Sequence, residues 1–181
     1  MKLYIMRHGT TIWNEKGIIQ GRSNNKLSAT GLALTQEAAK NFSDTKIDVI
    51  FCSPVTRTMQ TANIINKFHN VKIIKDERLA EIGQGVFEKR KKSSLTPHEI
   101  QIRLRRDPAY GMESYESVFA RVKEFYLNLI KNKPFENILV ISHNTPATLL
   151  EKAILNKKPN FNDPNSLREF KNAEIKLFDI K

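Results

Sequence analysis

A single cysteine, Cys52, stands in the 181 residues of this chain, which excludes an intramolecular disulfide. It lies inside the apolar stretch Val49-Ile50-Phe51-Cys52 and reads as a small buried hydrophobe in a reducing compartment. The spacing from Cys52 to Arg57 is one residue short of a catalytic thiolate loop, contains Pro54 and lacks a glycine-rich cradle, so thiol chemistry is set aside. No apolar run approaches membrane-spanning length. The few residues before Arg7 are too short for the apolar core of a signal peptide. The expectation is a soluble, cytoplasmic protein with no membrane partner. Without repeats or a low-complexity linker, residues 1–181 are expected to form one domain. A His-Glu-x-x-His zinc motif and a Gly-rich nucleotide loop ending in Lys-Ser/Thr are both missing, so no metal or cofactor is expected. Acidic residues are scarce, 19 against 30 basic, for a net charge of +11. Such a field draws anions, nucleic acid or a phosphorylated metabolite, without choosing between them. Much of the charge is accounted for by lysines on a solvated surface.

Five segments read as strands: Lys2 to Met6, Val49 to Ser53, Val71 to Ile74, Ile138 to Ser142 and Glu174 to Ile180. The first, second and fourth are nearly continuous apolar runs, as expected where both faces of a mostly parallel sheet are covered; the last carries more charge and suits an edge. Helices fill the gaps. Ser28 caps one reaching about Phe42, with Leu32, Ala38, Ala39 and Phe42 inward and Gly31 slightly unfavourable. Pro54 suits the first turn of a second, running through Met59, Ala62, Ile65 and Phe68. Thr96-Pro97-His98-Glu99 has the form of a capping box opening a third, which stops before Pro108. A fourth starts at Ser114, aligns Val118, Val122, Phe125, Leu129 and Ile130, and ends at Asn132 to Pro134. A fifth begins near Thr145-Pro146 and includes Leu149, Leu150, Ala153 and Ile154. The alternation predicts an open α/β sheet with helices on both faces, where ligands collect beyond the carboxyl ends of the strands. Lys75 to Leu95 is the longest irregular stretch.

Each of the first four strands is followed by a residue able to handle a phosphate or its proton: His8 with Arg7, then Arg57, then Glu81, then His143. Parallel strands end at one edge of a sheet, so these side chains are expected to converge. Imidazole is nucleophilic while neutral, and guanidinium offers a donor fork matched to phosphate oxygens. Arg57 sits at a helix start, where backbone amides also favour an anion. His143, between a strand and a helix, has a rival reading as a core histidine bonded to a carbonyl. His69 and His98 lack such settings and read as surface or capping residues.

These residues resemble the histidine phosphatase superfamily, which includes phosphoglycerate mutases and small phosphomonoesterases. The likeness spans most of the chain: Arg7-His8-Gly9-Thr10-Thr11 with Trp13-Asn14, Ile19-Gln20-Gly21, Leu27-Ser28-Ala29-Thr30-Gly31, Ser53-Pro54 with Arg57 and Gln60-Thr61-Ala62, Leu79-Ala80-Glu81-Ile82, Glu113-Ser114 and Ser142-His143. The resemblance implies a three-layer, phosphoglycerate-mutase-like sheet. It implies His8 as the nucleophile, Arg7, Arg57 and His143 as holders of the phosphoryl oxygens, and Glu81 as the proton donor to the leaving group and later the base for water. Asp76, Glu77 and Glu88 read as solvated loop charges. Asn14, Gln20, Gly21, Thr10 and Asn144 fall at ligand-contacting positions. Departures stand at Thr10, where the family usually has glutamate or glutamine, at Lys26 in place of proline, and at Asn144-Thr145 in place of paired glycines.

Within that family a mutase must shelter phosphohistidine from water, which takes extra chain. The final strand, ending at Asp179-Ile180-Lys181, leaves none, so hydrolysis of a small phosphorylated metabolite is the expected reaction, with mutase-type transfer the alternative. Substrate identity is expected to rest with Lys75 to Gly111. There the Lys89-Arg90-Lys91-Lys92 run reads either as a hydrated loop or as a second anion site, the hydrated loop preferred. A non-catalytic phosphate- or nucleic-acid-binding protein is the reading from another class. Retention of His8 and Glu81, the dispersed basic groups and the lack of a base-stacking platform argue against it. The sequence leaves the oligomeric state open.

Overall fold

The computed structural model of the chain describes residues 1–132 and 135–180. All five expected strands form: β1 (Lys2–Arg7), β2 (Val49–Cys52), β3 (Lys72–Lys75), β4 (Asn137–Ser142) and β5 (Ile175–Asp179). Their order is β3-β2-β4-β1-β5, parallel except for β5, which runs antiparallel to β1 at the charged edge.

The apolar runs explain the layering. In a strand, successive side chains face opposite ways. Leu3 and Ile5 of β1 and Ile138 and Val140 of β4 therefore enter one core, against Val118, Val122, Phe125 and Leu129 of α5 (Tyr115–Asn132) and Leu149 and Leu150 of α6 (Asn144–Ile154). Tyr4, Met6, Leu139 and Ile141 enter the other, against α2 (Ala29–Asn41) and α3 (Thr56–Asn66). The result is the expected three-layer, mostly parallel α/β architecture. Cys52 is buried in the second core, and burial pushes its thiol up to about 12, so it packs rather than reacts. Among the described residues no helix is long and apolar enough to cross a membrane.

Several helix details depart from the pattern reading. A four-residue helix, α1 (Ile12–Glu15), was not foreseen; too short for periodicity to register, it is held by a capping box between Thr11 and Asn14. In α2 the inward positions are Gly31, Thr35 and Ala39, while Leu32 is exposed. The reason is a close approach: a Cβ on Gly31 would overlap the Thr10 carbonyl, so the glycine that weakens the helix is what lets it dock. α3 starts two residues after Pro54, capped by extended Val55, and ends before exposed Phe68. α4 (Pro97–Arg105) opens with the expected capping box and closes on left-handed Arg106. The end of α5 foreseen at Asn132 to Pro134 lies partly outside the described residues, as does Lys181.

Candidate active site

The register of the central strands β2, β4 and β1 places their outgoing loops side by side. Arg7 stands opposite Ser142. The His8 N–H donates to Ser142 O and the Ser53 N–H to Ile141 O, each at 3.0 Å, so His8, Ser53 and His143 leave the sheet together. Gly9 then turns directly over α2, where a Cβ would overlap the Thr35 side chain and crowd the Gly31 carbonyl.

These loops form the floor of a cleft of ≈ 180 Å³ lined by Arg7, His8, Arg57, Glu81 and their neighbours. His8 Nδ1 lies 2.7 Å from Gly9 O. A carbonyl only accepts, so the proton is on Nδ1 and the lone pair on Nε2, which receives Arg57 Nε at 3.3 Å. Arg57 Nε also reaches His143 Nδ1 at 3.2 Å and its Nη2 reaches the same atom at 3.0 Å. His143 therefore accepts at Nδ1 and donates from Nε2 to Ser53 Oγ at 2.8 Å. Arg57 is held in place by the carbonyls of Gly21 and Ser23, at 2.8 and 2.9 Å. His143 is fully buried behind it and meets His8 edge-on, ring centroids 5.1 Å apart. The Arg7 fork donates to Phe170 O at 2.8 Å, leaving its buried Nε without a partner.

Charge is concentrated here. Burial, followed by the fields of Arg57 and Arg7, holds His8 well below the ordinary imidazole range. Burial, Arg57 and His8 do the same to His143. Burial likewise pushes Arg57 down to about 10, eased by Glu81 and Glu88. Both rings are thus neutral at physiological pH while both arginines stay charged: a lone pair on Nε2 facing guanidinium groups can attack an anionic electrophile that they hold.

The roof comes from the irregular stretch after β3. Because β3 is the far edge strand, the chain must return across the sheet edge to bring Glu81 in, and Ser142 Oγ anchors that return by donating to Leu79 O at 2.7 Å. Glu81 accepts from the Ile82 N–H at 2.9 Å. Its carbonyl receives Arg22 Nε at 3.3 Å and Arg121 Nη2 at 3.4 Å. Both arginines also pair with Glu113, which takes the Gly83 N–H at 2.9 Å. Burial alone would push the Glu113 carboxyl up; Arg121, the Gly83 N–H and Arg22 outweigh it and hold it below the usual range. Arg106 completes the clamp on the carbonyls of Gly83 and Glu113, lying over the Tyr115 ring.

Of the residues singled out in the sequence, Arg7, His8, Arg57, Glu81, Asn14, Gln20, Gly21 and Asn144 line this one cleft, as does Trp13, and His143 lies directly behind it. Asn14 and Asn144 also do structural work, Asn14 capping α1 and Asn144 accepting from Phe170 N at 3.0 Å. Thr10 is not on the cleft wall; its carbonyl accepts from the Ser28 N–H. Glu88 is a brace rather than a solvated charge, accepting from Arg22 N, Ser23 Oγ and Gln84 N. The basic run divides: Arg90 pairs with Glu99, while Lys89, Lys91 and Lys92 are all exposed, Lys92 at the cleft, which it lines. Arg103 and Arg168 line it too and were missed, since an arginine on an exposed helix or loop looks like any solvated charge. Among the described residues no group of three or more His, Cys, Asp or Glu stands together as a metal site would require.

A buried imidazole between arginines, set on the carboxyl edge of a parallel sheet with a carboxylate overhead, defines a phosphoryl-handling α/β protein. Residues 3–181 match the model of the histidine phosphatase superfamily (branch 1), and the chain belongs to that superfamily. It is 30% identical over 168 residues to phosphoserine phosphatase 1 of Hydrogenobacter thermophilus, covering 86% of this chain and 76% of that protein. Its fold matches the α-ribazole phosphatase of Shigella flexneri with a TM-score of 0.88 at 22% identity, covering 100% of this chain and 91% of that one. It also matches a mycobacterial glucosyl-3-phosphoglycerate phosphatase at 0.83 and 23%, covering 97% and 90%.

Proposed function

We propose that the protein hydrolyses a small phosphomonoester through a phosphohistidine on His8. One observation carries the reading: the Gly9 carbonyl fixes the His8 proton on Nδ1, so Nε2 presents its lone pair into a cleft shared with Arg7, Arg57 and Glu81. Nε2 attacks phosphorus as the ester P–O bond breaks, and the Glu81 carboxyl protonates the departing alkoxide. Water then attacks the phosphohistidine, giving its proton to Glu81, and phosphate leaves with His8 neutral again. Arg57 turns its Nε from the two rings to a phosphoryl oxygen, and Arg7 has a free buried Nε for another. Once seated on the bound phosphoryl group, these charges stabilise the transition state without further reorganisation. Hydrolysis over isomerisation is supported by coverage: a phosphoserine phosphatase matches over 86% of this chain and 76% of its own length, whereas a probable phosphoglycerate mutase, 39% identical, matches over 57% and 48%. A lone buried thiol suits a reducing compartment such as the cytoplasm.

The test is release of phosphate from an aryl phosphate in the presence of a chelator, with trapping of labelled phosphohistidine in acid-free gels. His8→Ala is expected to reduce turnover by about 10⁴-fold or more and to abolish the label. Turnover that survives in His8→Ala, or that disappears with the chelator, overturns the mechanism.

A further inference from the structure

Three cations in the cleft have no task in the phosphoryl chemistry. Lys92, from the turn after the roof loop, Arg103, from α4, and Arg168, from the connection between α6 and β5, come from separate segments to line the same cavity as Arg7 and Arg57. Among the described residues none of the three takes part in an ion pair, whereas Arg78, Arg90 and Arg121 are each matched to a carboxylate. Arg103 donates once, to Gln84 Oε1 at 3.2 Å, and its buried Nε has no partner. The cations also oppose one another: burial, then Arg168, Arg103 and Arg7, push the Lys92 ammonium below its ordinary range, and burial with Arg168 does the same to Arg103.

Unpaired like charges facing a cavity destabilise the empty protein and are relieved when an anion enters. The phosphoryl group already has Arg7 and Arg57. We infer that Lys92, Arg103 and Arg168 form a second anion subsite, and that the substrate is a short organic phosphate carrying a further acidic group, carboxylate or phosphate, close to its phosphoester. Lys92, Arg103 and Arg168 line the same cleft as Arg7 and Arg57, which keeps the two anionic groups close together on one molecule. The inference rests on the phosphomonoesterase reading and deepens it.

Calorimetric titration with three non-hydrolysable probes tests it independently of turnover: methylphosphonate has one anionic group, phosphonoacetate adds a carboxylate, and methylenebisphosphonate adds a second phosphonate. At least one of the doubly anionic probes is expected to bind about 10- to 100-fold more tightly than methylphosphonate, as charge-assisted hydrogen bonds allow, and which one does so identifies the second group. Arg168→Ala, at an exposed position, and Lys92→Ala should each shrink that ratio several-fold. Equal binding of all three probes, or an unchanged ratio in both variants, overturns the subsite. Preferential binding without aryl phosphate hydrolysis would keep the subsite and defeat the phosphatase reading; hydrolysis without preference does the reverse.

Discussion

The floor and the roof of the cleft are built on different principles. In the floor, His8, Arg57 and His143 follow parallel strands within a few residues; backbone carbonyls hold the first two, Gly9 O on His8 and Gly21 O and Ser23 O on Arg57, and the short Ser53 hydroxyl holds His143. In the roof, Glu81 follows edge strand β3 by a loop that recrosses the sheet, and charged side chains hold it: Arg22, Arg121, Glu113 and Arg106. Backbone fixing orders only the functional side chain and tolerates little variation, whereas a side-chain clamp must order its own members too but can be rebuilt around a different substrate. The floor is thus suited to chemistry common to every phosphomonoester, and the roof to choosing among them.

Substitutions should reveal that division. Arg57→Lys keeps a charge but loses the fork that spans His8, His143 and two carbonyls. We expect a loss of about 10²- to 10³-fold in kcat, of similar size on aryl and alkyl phosphates, measured by phosphate release. A loss confined to one substrate would move Arg57 from the common chemistry to specificity. Glu81→Gln should instead discriminate. Alkyl phosphates, whose alkoxides need a proton, should slow by about 10²- to 10⁴-fold, and p-nitrophenyl phosphate, with a good leaving group, by much less. Equal losses would reject Glu81 as the acid.

The same division explains what was legible in the sequence. Leu3 to Met6 and Ile138 to Ser142 are apolar runs that stop at chemistry-bearing residues, and parallel strands share an edge, so convergence of His8, Arg57 and His143 follows from pattern alone. Glu81 belongs to the same strand-end set, as the carboxylate after β3, and the resemblance adds its role as acid and base. What joins Glu81 to the floor was not readable: the pairs Arg22–Glu113 and Arg106–Gly83 link residues far apart in the chain, and no local pattern marks them. Lys92 is exposed, as a hydrated charge run implies, and nothing local marks its place on the cleft wall; Leu32 faces outward because Gly31, in the sequence pattern only a helix defect, is what docks α2.

Loosening the roof should cost less than altering the floor. In Glu113→Gln the side chain keeps its shape but no longer neutralises Arg22 and Arg121, and the arginines on the Glu81 carbonyl lose their common anchor. The expected change is about tenfold in kcat with a smaller change in KM. Alkyl phosphates should suffer more than aryl ones, because Glu113 acts through Glu81. Equal effects on both substrate classes, or a change in KM alone, would show that the clamp serves binding and leave the positioning of the acid to other groups.

The smallest effect concerns stability. Burial with Arg57 and Arg7 depresses His8, and burial with Arg57 and His8 depresses His143, so the native state takes up fewer protons at these rings than the unfolded chain does. Stability from this source is complete above the unfolded histidine pKa of about 6.5 and is lost as pH falls below it. Between pH 6.5 and 5.5 each ring forfeits about 1 kcal/mol, about 2 kcal/mol for the pair. The depressed carboxyls, Asp48, Glu99 and Glu113, lose their contribution only at lower pH, so the two windows separate. Urea unfolding across that interval should show the decline, to which His69, also depressed by burial, adds, and His143→Gln should remove about half of the part that comes from the pair. Saturating inorganic phosphate should flatten it as well, because an anion between the arginines offsets the positive field on both rings. A decline that His143→Gln and phosphate leave untouched would place the acid sensitivity outside the floor.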